Sequence, residues 1–158
     1  MTPVILPAIS RHYPACKKNV VIGNAFSKEN IDRIKKSADN NTELFFNLNG
    51  KNMQQLMSDS DIAVSAAGQT LYELARTGTP TITLTVVDNQ YNNALNWQKT
   101  GFVRYIGDYD NPHITDKLIE AISAISSHNS RLEMSSIGTR YVDGKGARRI
   151  AETIKGLL

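Results

Sequence analysis

Residues 61–97, DIAVSAAGQTLYELARTGTPTITLTVVDNQYNNALNW, decide both the fold and the place where chemistry sits. Residues 61–65 (DIAVS) are short and apolar, as a strand buried on both faces of a parallel sheet reads. The chain then passes through Ser65, Ala66, Ala67 and Gly68 and opens a helix near Gln69 and Thr70. Leu71, Leu74 and Ala75 follow at i, i+3 and i+4, one apolar face of a helix that should end near Gly78, Thr79 and Pro80. Residues 80–84 (PTITL) make a second buried strand. Ala94, Leu95 and Trp97 mark a further helix, ending at Gly101.

The same alternation extends in both directions. Residues 19–23 (NVVIG), 43–46 (ELFF) and 103–106 (VRYI) read as strands. Ser27 is placed to cap a helix carrying Ile31 and Ile34, and Met53, Leu56 and Met57 form the next apolar stripe. A longer helix is expected over residues 114–125, and a last one over about 145–157, after a turn at Asp143 and Gly144. Short strands alternating with helices imply one doubly wound α/β domain, with no internal repeat and no dividing linker.

In such a sheet, ligands bind beyond the carboxyl ends of the strands, where loops meet helix N-termini. Small residues ahead of Gln69 let a ligand approach the backbone, and Gly68 is expected to permit an otherwise costly turn. The amides of Gln69, Thr70 and Leu71 would then be free to meet an anion, and the Thr70 hydroxyl adds a donor. A helix N-terminus favours negative charge by about 0.3–1 kcal/mol, and about 2 when partly buried. Glu73 in the first turn suits the helix dipole as a cap, and equally suits two vicinal ribose hydroxyls. Residues 88–93 (DNQYNN) surround one tyrosine with groups that both donate and accept, as a sugar requires. A plain capping loop, with Asp88 or Asn89 as N-cap, is the alternative.

Bulk properties remove other classes. At 158 residues the chain has room for one domain with a core. The net charge of +3 is scattered, with no aromatic and arginine cluster for stacking bases, so a nucleic-acid partner is not expected. No apolar run approaches membrane-spanning length, and residues 1–12 do not read as a signal peptide. The single Cys16 excludes an intrachain disulfide and a cysteine zinc site; it is expected to be buried or inert, in a cytoplasmic protein. His12, His113 and His128 lack metal-ligand spacing and read as surface or capping residues, so no metal is expected. No dinucleotide glycine fingerprint and no Walker lysine motif is present. Asp61 opens its strand instead of ending it, which disfavours a flavodoxin-like receiver.

Together, NVVIGNAF, the run from ELFFNLNGK through TPTITL, and DNQYNNA resemble the C-terminal domain of GT-B-type nucleotide-sugar enzymes. The resemblance is to the UDP-sugar hydrolases of pseudaminic acid biosynthesis (the spore-coat polysaccharide protein type), and more broadly to the N-acetylglucosaminyltransferases that form lipid II. It covers nearly the whole chain. It implies a Rossmann-like three-layer domain with a parallel sheet, the C-terminal half of a GT-B enzyme. It also implies diphosphate contacts at Gly68, Gln69 and Thr70, a ribose-binding carboxylate at Glu73, and sugar-facing residues Asn89, Gln90 and Asn93. Asn47 and Leu48 would line the uracil pocket, with Gly23 and Asn24 at the cleft edge.

UDP or a UDP-sugar is then the ligand, with no cofactor, and a homodimer stays open. Such enzymes carry their catalytic histidine on a glycine-rich loop of an N-terminal domain. None of the three histidines here sits in such a loop, so no catalytic residue carries over. Their C-terminal domain also opens with a mid-sheet strand that MTPVILPAISRHYP does not supply. Val4-Ile5-Leu6, released from helix by Pro7, would fill that gap, or a partner chain would, or the fragment packs differently. A donor domain of a glycosyltransferase and a non-catalytic nucleotide-sugar module are the alternatives to a hydrolase half.

Overall fold

A computed structural model describes residues 1–157. Helix α1 (Thr2–His12) leads into strand β1 (Lys18–Ile22), α2 (Lys28–Ser37), β2 (Thr42–Phe46) and α3 (Gly50–Ser58). Then come β3 (Ala63–Ala66), α4 (Thr70–Thr77), β4 (Thr81–Thr85), a single 3-10 turn (Asp88–Gln90), α5 (Tyr91–Thr100) and β5 (Val103–Asp108). Helices α6 (Ile114–Ala124), α7 (His128–Tyr141) and α8 (Gly146–Lys155) complete the chain. All five expected strands form, and all pairings are parallel. The α/β class holds, but the strands divide into two sheets, β1-β2 and β3-β4-β5.

Strand β4 organises the larger sheet. All five of its residues are buried, because helices cover both faces. Ile82 and Leu84 pack with Ile106, Ile114, Leu118 and Ile125 on one side. On the other side Leu71, Leu74, Ala75, Trp97 and Phe102 form a second core. The buried hydroxyls of Thr81 and Thr83 are satisfied by the carbonyls of Thr79 at 2.8 Å and Ser65 at 3.0 Å. Unpaired, each would cost about 1–3 kcal/mol. The ladder with β5 is irregular between Thr83 and Thr85, where Gly107 adopts φ 105°. That conformation is one a side chain would strain.

The start of the chain is helical, which removes the strand expected at Val4-Ile5-Leu6. Pro7 does lie inside α1, yet burial of its flanking residues outweighs the lost backbone bond. Ile5 joins the core of the larger sheet and Leu6 packs with Val20, Ile22 and Ile34 of the smaller one. Helix α1 therefore contributes to the cores of both sheets, and among the described residues β1 and β3 each have one edge without a strand partner. Cys16 is exposed, not buried.

The expected helix ends appear. Ser27 accepts from the amide of Asn30, and α4 and α5 close on left-handed Gly78 and Gly101. His12 and His113 are exposed at helix termini, as their sequence context implies. Helix α7 was not legible, because only Met134 and Gly138 of its 14 residues are buried. Among the described residues no helix is long and apolar enough to cross a membrane.

At the amino ends of β1 and β2, Lys18 is buried and holds Asp39 at 2.9 Å, and Thr42 donates to the same carboxylate at 2.7 Å. The Thr42 bond first, then Lys18, hold the Asp39 carboxyl down at about 2. A depressed folded-state pKa adds stability above the unfolded value and loses it as pH falls through the folded one. Urea-unfolding curves should therefore weaken between about pH 4 and pH 2. Lys18→Met should flatten that part of the profile relative to wild type; an unchanged slope would count against the pair.

Candidate functional site

The expected anion seat lies where β3 gives way to α4. The Ala67 amide bonds Leu84 O at 3.0 Å, continuing the ladder one residue beyond β3, and the Gly68 amide turns back to Ala66 O at 2.8 Å. Leu71 N–H is taken by Gly68 O at 3.2 Å, and Tyr72 N–H by Gln69 O at 3.0 Å. Leu71 is therefore not a free donor, because the first turn closes tightly on Gly68. The amides of Gln69 and Thr70 have no acceptor among the described residues, and both residues are exposed. Gln69 itself makes no side-chain cap.

Gly68 also differs from its expected role. The glycines with positive φ are Gly78, Gly101, Gly107 and Gly144, so no left-handed turn demands glycine at position 68. A Cβ there would meet only Gln90 Nε2, at 3.8 Å. What the glycine provides is open space over the turn, not a special backbone angle.

Two of the three residues expected on the sugar side converge on this loop. Gln90 accepts from the Val86 amide through Oε1 at 2.9 Å, which brings its Nε2 over Gly68. Asn93 donates from Nδ2 to Ala67 O at 2.8 Å and to Gly68 O at 3.4 Å. Asn89 is exposed on the 3-10 turn. Neither Asp88 nor Asn89 caps a helix: Val87 occupies the cap of the 3-10 turn and Gln90 that of α5. Helix capping therefore does not account for these polar residues. Glu73 is exposed in the first turn of α4.

Asn47, Leu48, Gly23 and Asn24 follow the carboxyl ends of β2 and β1, in the smaller sheet, and share no hydrogen bond with the Gly68 loop among the described residues. Asn47 is the one non-glycine residue with positive φ, 51°, among those described. Asparagine tolerates that conformation better than most, and such positions gather at functional sites.

Two open clefts flank the loop region. One, of about 440 Å³, lies at the carboxyl ends of β4 and β5 and is lined by Val86, Asp88, Tyr91, Asp108 and Asp110. At its base the Thr85 hydroxyl donates to Asp108, and lies 3.0 Å from the Tyr105 hydroxyl. Burial, with the Asp108 charge beside it, pushes the Tyr105 phenol above its ordinary value. Periodicity gives no sign of this group, because Thr85, Tyr105 and Asp108 are brought together only by the bulged β4-β5 ladder. The second cleft, about 420 Å³, is lined by Tyr72, Asn93, Trp97, Tyr141 and Arg149. Glu73 lines neither cleft.

With this geometry, the chain can be set beside known proteins. Residues 20–154 match the family described as the glycosyltransferase family 28 C-terminal domain. A 69-residue stretch, 44% of this chain and 13% of the relative, is 36% identical to a Helicobacter pylori protein. That protein is described as pseudaminic acid cytidylyltransferase and UDP-2,4-diacetamido-2,4,6-trideoxy-beta-L-altropyranose hydrolase.

Among solved structures, UDP-GlcNAc 2-epimerase from Neisseria meningitidis, bound to UDP-GlcNAc, superposes with TM-score 0.73 at 18% identity over 98% of this chain and 40% of its own. Acinetobacter baumannii MurG superposes with TM-score 0.71 at 15% identity, over 98% of this chain and 45% of its own. The chain thus spans under half the length of these relatives, and at such identities the likeness speaks for the fold, the Rossmann-like architecture of GT-B C-terminal domains. The match over residues 20–154 carries more: this chain belongs to the glycosyltransferase family 28 C-terminal domain family.

Proposed function

We propose that this chain binds the nucleotide part of a UDP-sugar, as the donor-binding half of a cytoplasmic nucleotide-sugar hydrolase acting in surface polysaccharide or nonulosonic (pseudaminic-type) acid biosynthesis. The observation that carries the reading is the pair of amides at Gln69 and Thr70, at the N-terminus of α4 and without an acceptor among the described residues, next to Gly68 and the Gln90 amide nitrogen near it. Two N–H groups without an acceptor at a helix N-terminus suit a diphosphate. Glu73, one turn on, is offered to the ribose, Asn47 and Leu48 to uracil, and Asn89 and Gln90 to the sugar. The Helicobacter pylori relative, whose description includes a UDP-sugar hydrolase activity, supports the reaction class.

A cleft wall over Glu73, the catalytic group and a strand between β1 and β3 are assigned to a second domain or partner chain. The strand orders support this, since β1 and β3 each pair with a single neighbour among the described residues and an edge strand offers its ladder groups to a further strand. A transferase donor domain is the second reading, favoured by the family match itself. Calorimetry decides the binding claim: UDP should bind with no turnover, and absence of heat at millimolar UDP would sink it. Mixing with a matching N-terminal domain should then restore UDP release, independent of added sugar acceptor for a hydrolase and dependent on it for a transferase.

A further inference from the structure

Asn93 was a candidate for touching the sugar, yet its amide nitrogen is turned the other way, onto the loop itself. It donates to Ala67 O at 2.8 Å and Gly68 O at 3.4 Å, crossing from the first turn of α5 to the end of β3. The Gly68 carbonyl receives a second bond on the same side, from Leu71 N–H at 3.2 Å. A peptide unit is planar and trans, so its N–H points opposite to its C=O. Drawing the Gly68 carbonyl inward therefore aims the Gln69 N–H outward, toward the space above the turn. Gln69 makes no side-chain cap and its φ of −61° imposes no strain, so nothing in its own side chain holds that peptide plane. The Gln90 side chain makes no hydrogen bond to that peptide among the described residues; its Oε1 accepts from Val86 N–H.

We propose that Asn93 is a positioning residue: by clamping the Ala67 and Gly68 carbonyls it holds the Gln69 amide in the direction that receives a phosphate. This rests on the anion seat proposed above. Its side chain is half-buried, so water competes poorly for the two carbonyls while the asparagine is present. Removing it frees the peptide to rotate, and the donor is no longer preorganised.

The test uses Asn93→Ala, with affinities for uridine, UDP and UDP-GlcNAc measured alongside amide hydrogen exchange in the ligand-free protein. A lost preorganised, charge-assisted bond corresponds to a fall in affinity on the order of tenfold. UDP and UDP-GlcNAc should weaken by the same factor, with uridine unchanged because it has no phosphate to place. The Leu71 amide, bonded to the clamped carbonyl, should exchange faster. A loss confined to UDP-GlcNAc would mean direct sugar contact and overturn the proposal. An equal loss for uridine would mean general loosening and would overturn it too. Asn93→Asp, which removes the donor and keeps the shape, should repeat the pattern, and Asn92→Asp controls for its added charge. If wild type binds no UDP, the seat itself falls; Leu71 exchange in Asn93→Ala still judges the clamp, and an unchanged rate refutes it.

Discussion

Phe102→Ala should lower the unfolding free energy by about 3–5 kcal/mol, the cost of emptying a fully buried aromatic site. For a chain of this size that corresponds to roughly 6–20 °C in melting temperature. The ring is 0% exposed and meets Trp97 edge-on at 5.3 Å. It also fills the crossing of α4 and α7, where a Cβ on Gly138 would lie 2.7 Å from its Cδ2 and Cε2 and 3.0 Å from Ala75 O.

Gly138→Ala should gain about 1 kcal/mol in helix propensity and lose about 1–3 to overpacking, a net destabilisation. In the Phe102→Ala background the same methyl enters vacated space. The double variant should then be more stable than the sum of the two, with a coupling of about 0.5–3 kcal/mol. Strict additivity in urea titrations would show that the ring and the glycine do not share that space.

Glu73→Ala should weaken UDP by roughly 10- to 100-fold, the loss expected when a carboxylate accepting hydroxyl hydrogen bonds worth about 1.5–3 kcal/mol is removed. The competing role is a cap, since an acidic side chain in the first turn of α4 also stabilises the helix. The two separate cleanly with 2′-deoxy-UDP. Wild type should prefer UDP over the deoxy ligand, and Glu73→Ala should bind both alike. Glu73→Gln, keeping an acceptor but not the charge, should fall between. A variant that melts earlier but keeps the wild-type preference would leave Glu73 as a cap and return the ribose to other residues.

Much of this was legible because the relevant forces are local. β-branched runs such as NVVIG and TITLT specify extended backbone, and Gly78 and Gly101 stop α4 and α5 in left-handed conformations. The small-residue passage ahead of Thr70 marked the place where amides stay free. Helix α7 stayed hidden because its packing depends on the absence of side chains: Gly138 and Ser135 let it approach α4, and such closeness leaves no apolar stripe to read. The Thr85, Tyr105 and Asp108 group was hidden for another reason, since its members are 20 and 23 residues apart and meet only across a bulged ladder.

The sequence by itself determined the alternation of strand and helix, the parallel α/β class and the small-residue turn between β3 and α4, because each follows from the periodicity and turn chemistry of neighbouring residues. Only the tertiary structure decided which polar atoms remain available. Leu71 N–H and Asn93 Nδ2 are committed inward while Gln69 and Thr70 N–H are not, and Ile5 and Leu6 keep α1 helical through Pro7. Those outcomes depend on partners distant in sequence, and a hydrogen bond or buried contact exists only once both sides have been brought together.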